Sequence, residues 1–209
     1  MISASFLTSK NIPDTLTKLN NTDVDFIHVD VMDGKYVENK SLPFKEMKHI
    51  YKFTDKRLDV HLMVEAPSKY IKNYASLNTE YITIHLDTLE DTLTNLKLIK
   101  SYGIKTGIAL NPNDKVESLI PYLPYIDLIL VMGVIPGKGG QKFINSTIDK
   151  LKELKVLKTE YKNFDFKISI DGGINNEIKK KINNLPDIIV SGNYIINSPD
   201  FQKQINSLR

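Results

Sequence analysis

Short runs of β-branched and other apolar residues recur along this chain, and amphipathic stretches with helical spacing lie between them. The apolar runs predict eight strands, at Ile2–Leu7, Asp25–Val31, Leu58–Val64, Tyr81–Leu86, Ile104–Leu110, Asp127–Met132, Phe166–Asp171 and Asp187–Ser191. The intervening stretches predict helices at Asn11–Leu19, Pro43–Tyr51, Pro67–Leu77, Leu89–Tyr102, Val116–Ile120, Phe143–Tyr161, Asn175–Ile182 and Phe201–Leu208. This alternation is typical of right-handed βαβ units that build a parallel sheet.

Polar residues within the strands favour a closed barrel over a doubly wound open sheet. The residues concerned fall within or at the C-terminal ends of different strands, and they are His28, Asp30, His61, His85, Met132 and Asp171. A closed barrel gathers such positions around one mouth, where the active sites of these barrels lie, whereas an open sheet scatters them. We therefore expect an α/β fold, a (β/α)8 TIM barrel that forms a single domain over residues 1–209.

The composition excludes several classes of protein. The chain has 209 residues, 41% hydrophobic and 25% charged, which is typical of a soluble globular domain. It has no Cys, so neither disulfides nor a Cys-based zinc site can form. No basic leader and no apolar run of membrane-spanning length is present, so we expect a cytoplasmic protein without a membrane partner. The net charge of +3 comes mainly from Lys spread along predicted helices, and we expect no nucleic-acid partner.

Two neighbouring strands carry charged or metal-binding side chains among apolar ones. His28 and Asp30 are two positions apart on one strand, so they point to the same face about 6.6 Å apart. A buried carboxylate costs several kcal/mol unless it is paired or bound to a metal. The third strand carries His61, and Asp171 ends the seventh. Two nitrogen and two oxygen ligands suit one divalent cation, Zn²⁺, Fe²⁺, Mn²⁺ or Co²⁺, better than Ca²⁺.

Simpler interpretations of these residues stay open. The second strand can be an edge strand whose charges face water, and a single strand histidine is more often a core residue with its hydrogen bonds satisfied. His49 lies on a predicted helix, and we expect it at the surface. His85 lies in the fourth predicted strand, where we expect it to support the site from behind its ligands or to be structural, rather than to be catalytic.

Three glycine-rich turns follow the last three strands. They contain Gly137-Lys138-Gly139-Gly140, Gly172-Gly173 and Gly192-Asn193. Such turns expose backbone N–H groups that can hold a phosphate, and barrels often bind phosphate after strands seven and eight. Each turn by itself can equally be a tight connection. The chain's only arginines are Arg57 and Arg209, and neither is well situated for this purpose, so we expect the backbone to bind the anion.

Five segments, taken together and in this order, resemble the ribulose-phosphate 3-epimerase family. They are Ile2–Leu7 (ISASFL), His28–Gly34 (HVDVMDG), Asp59–Val64 (DVHLMV), Val131–Phe143 (VMGVIPGKGGQKF) and Ile170–Ile174 (IDGGI). The resemblance extends from Ile2 to about Asp200, which is nearly the whole chain.

The resemblance implies a (β/α)8 barrel of the pentose phosphate pathway that interconverts D-ribulose 5-phosphate and D-xylulose 5-phosphate. It implies that His28, Asp30, His61 and Asp171 bind one divalent cation, and that Asp30 and Asp171 are the acid/base pair that inverts C3. The phosphorylated ketopentose would contact Ser5, Met32, His61, Met63, Met132, Gly137, Lys138, Gly139, Gly140, Gly172, Gly173, Gly192 and Asn193. The resemblance also implies a homo-oligomer.

The chain departs from the family pattern at a few positions. Ile135 and Lys138 stand where the family usually has Asn and Phe, Asn193 stands in place of Ser, and Glu38 in place of Pro. His85-Leu86-Asp87 stands where the family often has His-x-Glu. None of these changes removes a proposed ligand or acid/base.

Other functions fit much of the same pattern. A D-allulose-6-phosphate 3-epimerase would have the same metal and acid/base residues, and a non-catalytic sugar-phosphate-binding barrel could retain the fold. A decarboxylase of the orotidine-phosphate type is disfavoured, because Met32 stands where its DxKxxD motif requires Lys.

Overall fold

Eight parallel strands form a closed barrel in the computed structural model, which describes Met1–Arg209. The strands are β1 (Ile2–Ser5), β2 (Phe26–Met32), β3 (Leu58–Met63), β4 (Thr79–His85), β5 (Lys105–Leu110), β6 (Leu128–Met132), β7 (Lys167–Asp171) and β8 (Ile188–Ser191). Each strand pairs with the next in sequence, and β8 pairs with β1. The expected (β/α)8 barrel is confirmed.

Helices surround the barrel and pack on the outward side chains of the strands. They are α1 (Ile12–Asn20), α2 (Phe44–Met47), α3 (Ser68–Ala75), α4 (Thr92–Ser101), α5 (Thr147–Glu160), α6 (Asn176–Ile182), α7 (Asn193–Ile196) and α8 (Phe201–Ser207). Val29 and Val31 of β2, like Val60 and Leu62 of β3, belong to the large apolar cluster between strands and helices. None of the helices has the length and apolarity needed to cross a bilayer.

Two predicted helices begin later than their apolar pattern indicated. The one predicted at Leu89–Tyr102 begins at Thr92, because the Asp91 carboxylate accepts a hydrogen bond from Thr94 N at 2.7 Å and caps it there. The helix predicted at Phe143–Tyr161 begins at Thr147. The residues before it turn back over the barrel, and Ile144 N donates to Gly133 O at 2.8 Å.

Three shorter segments also differ from the prediction. Pro43–Tyr51 is not one helix but α2 followed by a 3-10 turn at Ile50–Lys52. Together the two elements bury Met47 and Ile50, which are three positions apart. The predicted helix at Val116–Ile120 is a 3-10 segment that extends to Tyr125 and contains two prolines without N–H donors. The four-residue helix α7 was not predicted.

Inward side chains fill the barrel in layers. Phe26, Tyr81, Leu128 and Ile188, from the even-numbered strands, form a separate buried cluster near the strands' N-terminal ends, and the Phe26 and Tyr81 rings meet edge to face at 5.7 Å. This cluster is the floor of the barrel. Beyond it, Ser3, His28, Asp59, Thr83 and Ser169 are buried polar side chains, whereas Ala109, Leu130, Met132 and Val190 form a second buried apolar cluster. The interior toward the mouth therefore combines a polar part with an apolar part.

Gly107 on β5 leaves room for the Thr83 side chain within the barrel. A Cβ atom at position 107 would overlap Thr83 Oγ1 and lie 3.0 Å from Thr83 Cβ. We predict that Gly107→Ala lowers the free energy of unfolding by about 1–3 kcal/mol, as overpacking of a core does. Adding Thr83→Ala should restore part of this loss. Urea unfolding of the variants measures both effects, and a Gly107→Ala protein as stable as its parent would contradict the close packing.

Candidate metal and active site

Four predicted ligands meet at the mouth of the barrel. Asp30 Oδ1 lies 3.4 Å from His28 Nε2 and 3.5 Å from His61 Nδ1. Asp171 Oδ2 lies 3.9 Å from His28 Nε2 and 4.0 Å from His61 Nδ1. All four ligand atoms lie within 4.8 Å of one another, and the molecule contains no second group of this kind. The closed barrel brings them together because Asp30 is directly opposite His61 in the register between β2 and β3.

His28 and His61 each have one ring nitrogen that faces the carboxylates, is buried and has no hydrogen-bond partner. His28 Nδ1 lies 2.8 Å from Asp59 Oδ2, which also accepts from the Ser3 hydroxyl, while His28 Nε2 has no partner. His61 Nε2 lies 2.8 Å from His85 Nε2, while His61 Nδ1 has no partner. Buried polar atoms without partners are rare and costly. The four residues therefore fit a divalent cation, which two neutral imidazoles and two carboxylates can hold.

A cavity of about 370 Å³ opens beside these residues. Asp30, Asp171, Met63 and Met132 line its inner end, and Ser5 lies there with its hydroxyl donating to Asp30 Oδ2 at 2.9 Å. Met32, which was expected to line the reacting face, is buried but not part of the cavity wall. His28 and His61 are fully buried beneath the carboxylates.

Glycine turns line the outer end of the cavity. Gly137, Gly139, Gly140, Gly172, Gly173 and Gly192 all belong to its wall, together with Asn193. Gly172 and Gly173 have φ angles of 107° and 68°, and a Cβ at Gly173 would lie 2.7 Å from Phe143 N. Only glycine fits this turn.

Lys138 is the only Lys or Arg side chain on the cavity wall. Arg57 pairs with Glu80, and Arg209 pairs with Asp23 and Asp25, so neither arginine takes part. The loop that carries Lys138 is held in place by Gln141, whose amide donates to Ile135 O and Lys138 O. Asn39 also donates to Gly137 O at 2.7 Å. The sequence alone did not indicate these loop contacts.

The sequence analysis missed some residues of the site. One is Asp59, which supports His28. The strand alternation that singled out His61 could have found it, because Asp59 lies two positions earlier on the same inward face. Thr8 lines the outer end of the cavity, where its hydroxyl donates to Asn193 Oδ1. No signal in the sequence pointed to Thr8. His49 is exposed on the surface, as expected.

The comparisons with known proteins identify the family of the chain. The model of the ribulose-phosphate 3 epimerase family matches residues 1–196. The chain belongs to the ribulose-phosphate 3-epimerase family. It is 36% identical to a ribulose-phosphate 3-epimerase of Bacillus subtilis, over 88% of this chain and 86% of the relative. It is also 36% identical to that of Helicobacter pylori strain J99, over 100% of this chain and 94% of the relative. This epimerase-family chain is accordingly an isomerase.

Solved structures of lower sequence identity share the fold. One is KGPDC from Streptococcus mutans, with a TM-score of 0.70, 14% identity and coverage of 99% of this chain and 94% of that one. At this identity the likeness concerns the barrel alone.

Burial and charge act in opposite directions on the two carboxylates of this epimerase-family site. Burial would raise the pKa of Asp30, but the charge of His28 outweighs it and brings that pKa below its usual range. Burial raises the pKa of Asp171 to about 6; the charge of His28 opposes this rise, and the charge of Asp30 adds to it. Burial would lower the pKa of His28, but the carboxylates of Asp30 and Asp59 raise it well above its usual value. The site thus favours positive charge.

We predict that cation binding to this epimerase-family chain releases protons in a pH-dependent number. At neutral pH, His28 holds a proton that a cation must displace, so about one proton should be released. Burial raises the pKa of Asp171 to about 6, so below this pH that carboxyl is protonated as well, and release should approach about two. Titration calorimetry with Co²⁺ or Zn²⁺, in buffers of different ionisation enthalpy, measures this number. His49→Ala is the control and should leave it unchanged; a release that does not vary with pH would contradict the pKa assignments.

Proposed function

We propose that this protein interconverts D-ribulose 5-phosphate and D-xylulose 5-phosphate, with Asp30 and Asp171 as proton carriers. The observation that carries the proposal is that two carboxylates meet two unpartnered imidazole nitrogens at the inner end of a cavity whose outer end is lined with glycine turns. The first feature suits a ketose and its proton chemistry. The second suits a phosphate.

The residues that line the cavity favour one orientation of the substrate. Its phosphate would lie among the turns of Gly137–Gly140, Gly172–Gly173 and Gly192–Asn193, where backbone N–H groups and the Lys138 ammonium are available. Its carbonyl end would then lie between Asp30 and Asp171. Met63 and Met132 are almost fully buried beside these carboxylates and would exclude water from the reacting carbon.

Inversion at C3 needs a proton carrier on each face of the substrate. One carboxylate takes the C3 proton, and the electron pair of the broken C–H bond remains on the substrate as an enediolate. The other carboxyl gives its proton to C3 from the opposite face, which inverts the centre. The reverse reaction exchanges the two roles.

His28, Asp30, His61 and Asp171 would hold one divalent cation, with Zn²⁺, Fe²⁺, Mn²⁺ and Co²⁺ as the candidates. When bound, the cation supplies Lewis-acid stabilisation of negative charge on the ketose oxygens. Ser5 donates to Asp30 Oδ2 and so keeps Oδ1 of the same carboxylate directed at the histidines. This arrangement lets Asp30 serve both as a ligand and as a proton carrier.

We also propose that the protein is a homo-oligomer, as the resemblance implies, and, separately, that it is located in the cytoplasm. Both expectations stay predictions.

The purified protein should epimerise D-ribulose 5-phosphate only when loaded with a divalent cation. Treatment with a chelator should abolish turnover, and Zn²⁺, Mn²⁺, Fe²⁺ or Co²⁺ should restore it. His61→Ala should lower metal content, whereas the surface variant His49→Ala should not. Unphosphorylated D-ribulose should react far less efficiently, because it lacks the group that the glycine turns would hold.

Three outcomes of this assay would change the proposal. Full activity in metal-free protein would exclude the metal centre. A higher kcat/KM for D-allulose 6-phosphate would move the substrate to a six-carbon ketose. Metal-loaded protein that binds sugar phosphates without turnover would be a non-catalytic binding barrel.

Replacing either proposed proton carrier should abolish inversion without abolishing all proton exchange. Asp30→Asn and Asp171→Asn should each lower the epimerisation rate by at least roughly 10²–10⁴-fold. In D₂O, a variant that retains metal and one carboxylate should still exchange deuterium into one epimer, because that carboxylate can remove and return the proton on its own face. Asp149→Asn, on the exposed face of α5, is the matched control. A metal-loaded variant with the parent's epimerisation rate would exclude the two-carboxylate mechanism.

A further inference from the structure

His85 ends β4 at the mouth of the barrel and is fully buried, yet it belongs to neither the proposed ligands nor the proposed proton carriers. Its Nε2 lies 2.8 Å from Nε2 of His61, and the two ring centres are 5.0 Å apart. On the other side, the Tyr36 ring packs against it at 4.8 Å. His85 is thus enclosed between a proposed metal ligand and an aromatic side chain.

The short distance between the two rings restricts where their protons can be. A neutral imidazole carries one N–H and one lone pair, and a cation needs the lone pair. Since His61 Nδ1 is the atom that faces Asp30 and Asp171, its lone pair must be there and its proton on Nε2. That proton points at His85 Nε2, which must therefore accept it. Two donors cannot face each other at 2.8 Å.

We propose that His85 is a positioning residue that keeps His61 in the tautomer with its Nδ1 lone pair directed at the cation. The inference rests on the metal centre of the proposed function. His85 would act through His61 and touch neither cation nor substrate. Outer hydrogen-bond partners of this kind fix ring orientation in metal sites and are worth about 10–100-fold in metal affinity.

The two proposed histidine ligands are supported by different kinds of acceptor. His28 donates from Nδ1 to the Asp59 carboxylate, which can only accept while ionised. His61 donates from Nε2 to a ring that can present either a donor or an acceptor. The support of His61 therefore depends on His85 keeping its own Nε2 free of a proton.

Tyr36 holds His85 in this position from outside. Its hydroxyl donates to Asp87 Oδ1 at 2.7 Å and accepts from Asn111 Nδ2 at 3.1 Å. Because these contacts fix the Tyr36 ring, the His85 ring has little room to turn away from His61.

Three variants distinguish the loss of the hydrogen-bond acceptor at position 85 from the loss of the volume that the His85 side chain fills. His85→Leu removes the acceptor and should weaken Co²⁺ binding by about 10–100-fold. His85→Gln offers an amide oxygen to His61 Nε2 and should stay within a few-fold of the parent. Thr83→Val, on the same strand, replaces a buried hydroxyl that has no partner and should leave the affinity unchanged. Competition with a chromophoric chelator gives the dissociation constants without any turnover.

A second measurement needs no substitution. In metal-free parent protein at alkaline pH, ¹⁵N NMR of the histidine rings reports which nitrogen of His61 is protonated. We expect Nε2–H on His61 and Nδ1–H on His85. His61 protonated at Nδ1, or His85→Leu with the parent's affinity, would overturn the inference. Parent protein that binds no Co²⁺ would overturn the metal centre, and the NMR result would still decide the tautomer of His61.

Discussion

The arrangement of side chains at the barrel mouth depends on two buried imidazole nitrogens that have no hydrogen-bond partner in the protein. His28 Nε2 and His61 Nδ1 face the same small volume as the Asp30 and Asp171 carboxylates, and neither nitrogen has a hydrogen-bond partner in the protein. The other nitrogen of each ring is held by a buried acceptor, Asp59 or His85, so neither ring can turn to satisfy itself. Without the Asp59 and His85 acceptors, no hydrogen bond would fix the orientation of either ring.

Alternation along the strands was enough to predict most of the proposed metal site. A charged residue at an inward position of an otherwise apolar strand is conspicuous, and that signal identified His28, Asp30, His61 and Asp171. The closed barrel supplied the rest, since all inward positions of all strands share one interior. Alternation failed at Met32, which follows the same period as Asp30 but lies at the last position of β2, outside the cavity wall. Whether a strand's end faces the cavity depends on the loops, and the period does not carry that information.

The helix boundaries were predicted less well, for a related reason. Phe143 to Ser146 has helical spacing, but these residues hydrogen-bond and pack with the ends of β6 and β7 instead. The support of His61 by His85 was likewise visible only in three dimensions. The sequence predicted that His85 is a supporting or structural residue, but only the contact at 2.8 Å identifies His61 as the residue that it contacts. Local patterns predicted which faces were buried, and tertiary contacts decided which atoms met.

The floor formed by Phe26, Tyr81, Leu128 and Ile188 has a kinetic consequence. This cluster fills the N-terminal end of the barrel, so the cavity opens at the mouth, and a sugar phosphate would both enter and leave on that side. Product and substrate then exclude each other from the same space. Under the proposed function, accumulated product would act as a competitive inhibitor in both directions, and at saturating concentrations the net flux would follow the ratio of the two epimers rather than the concentration of either one.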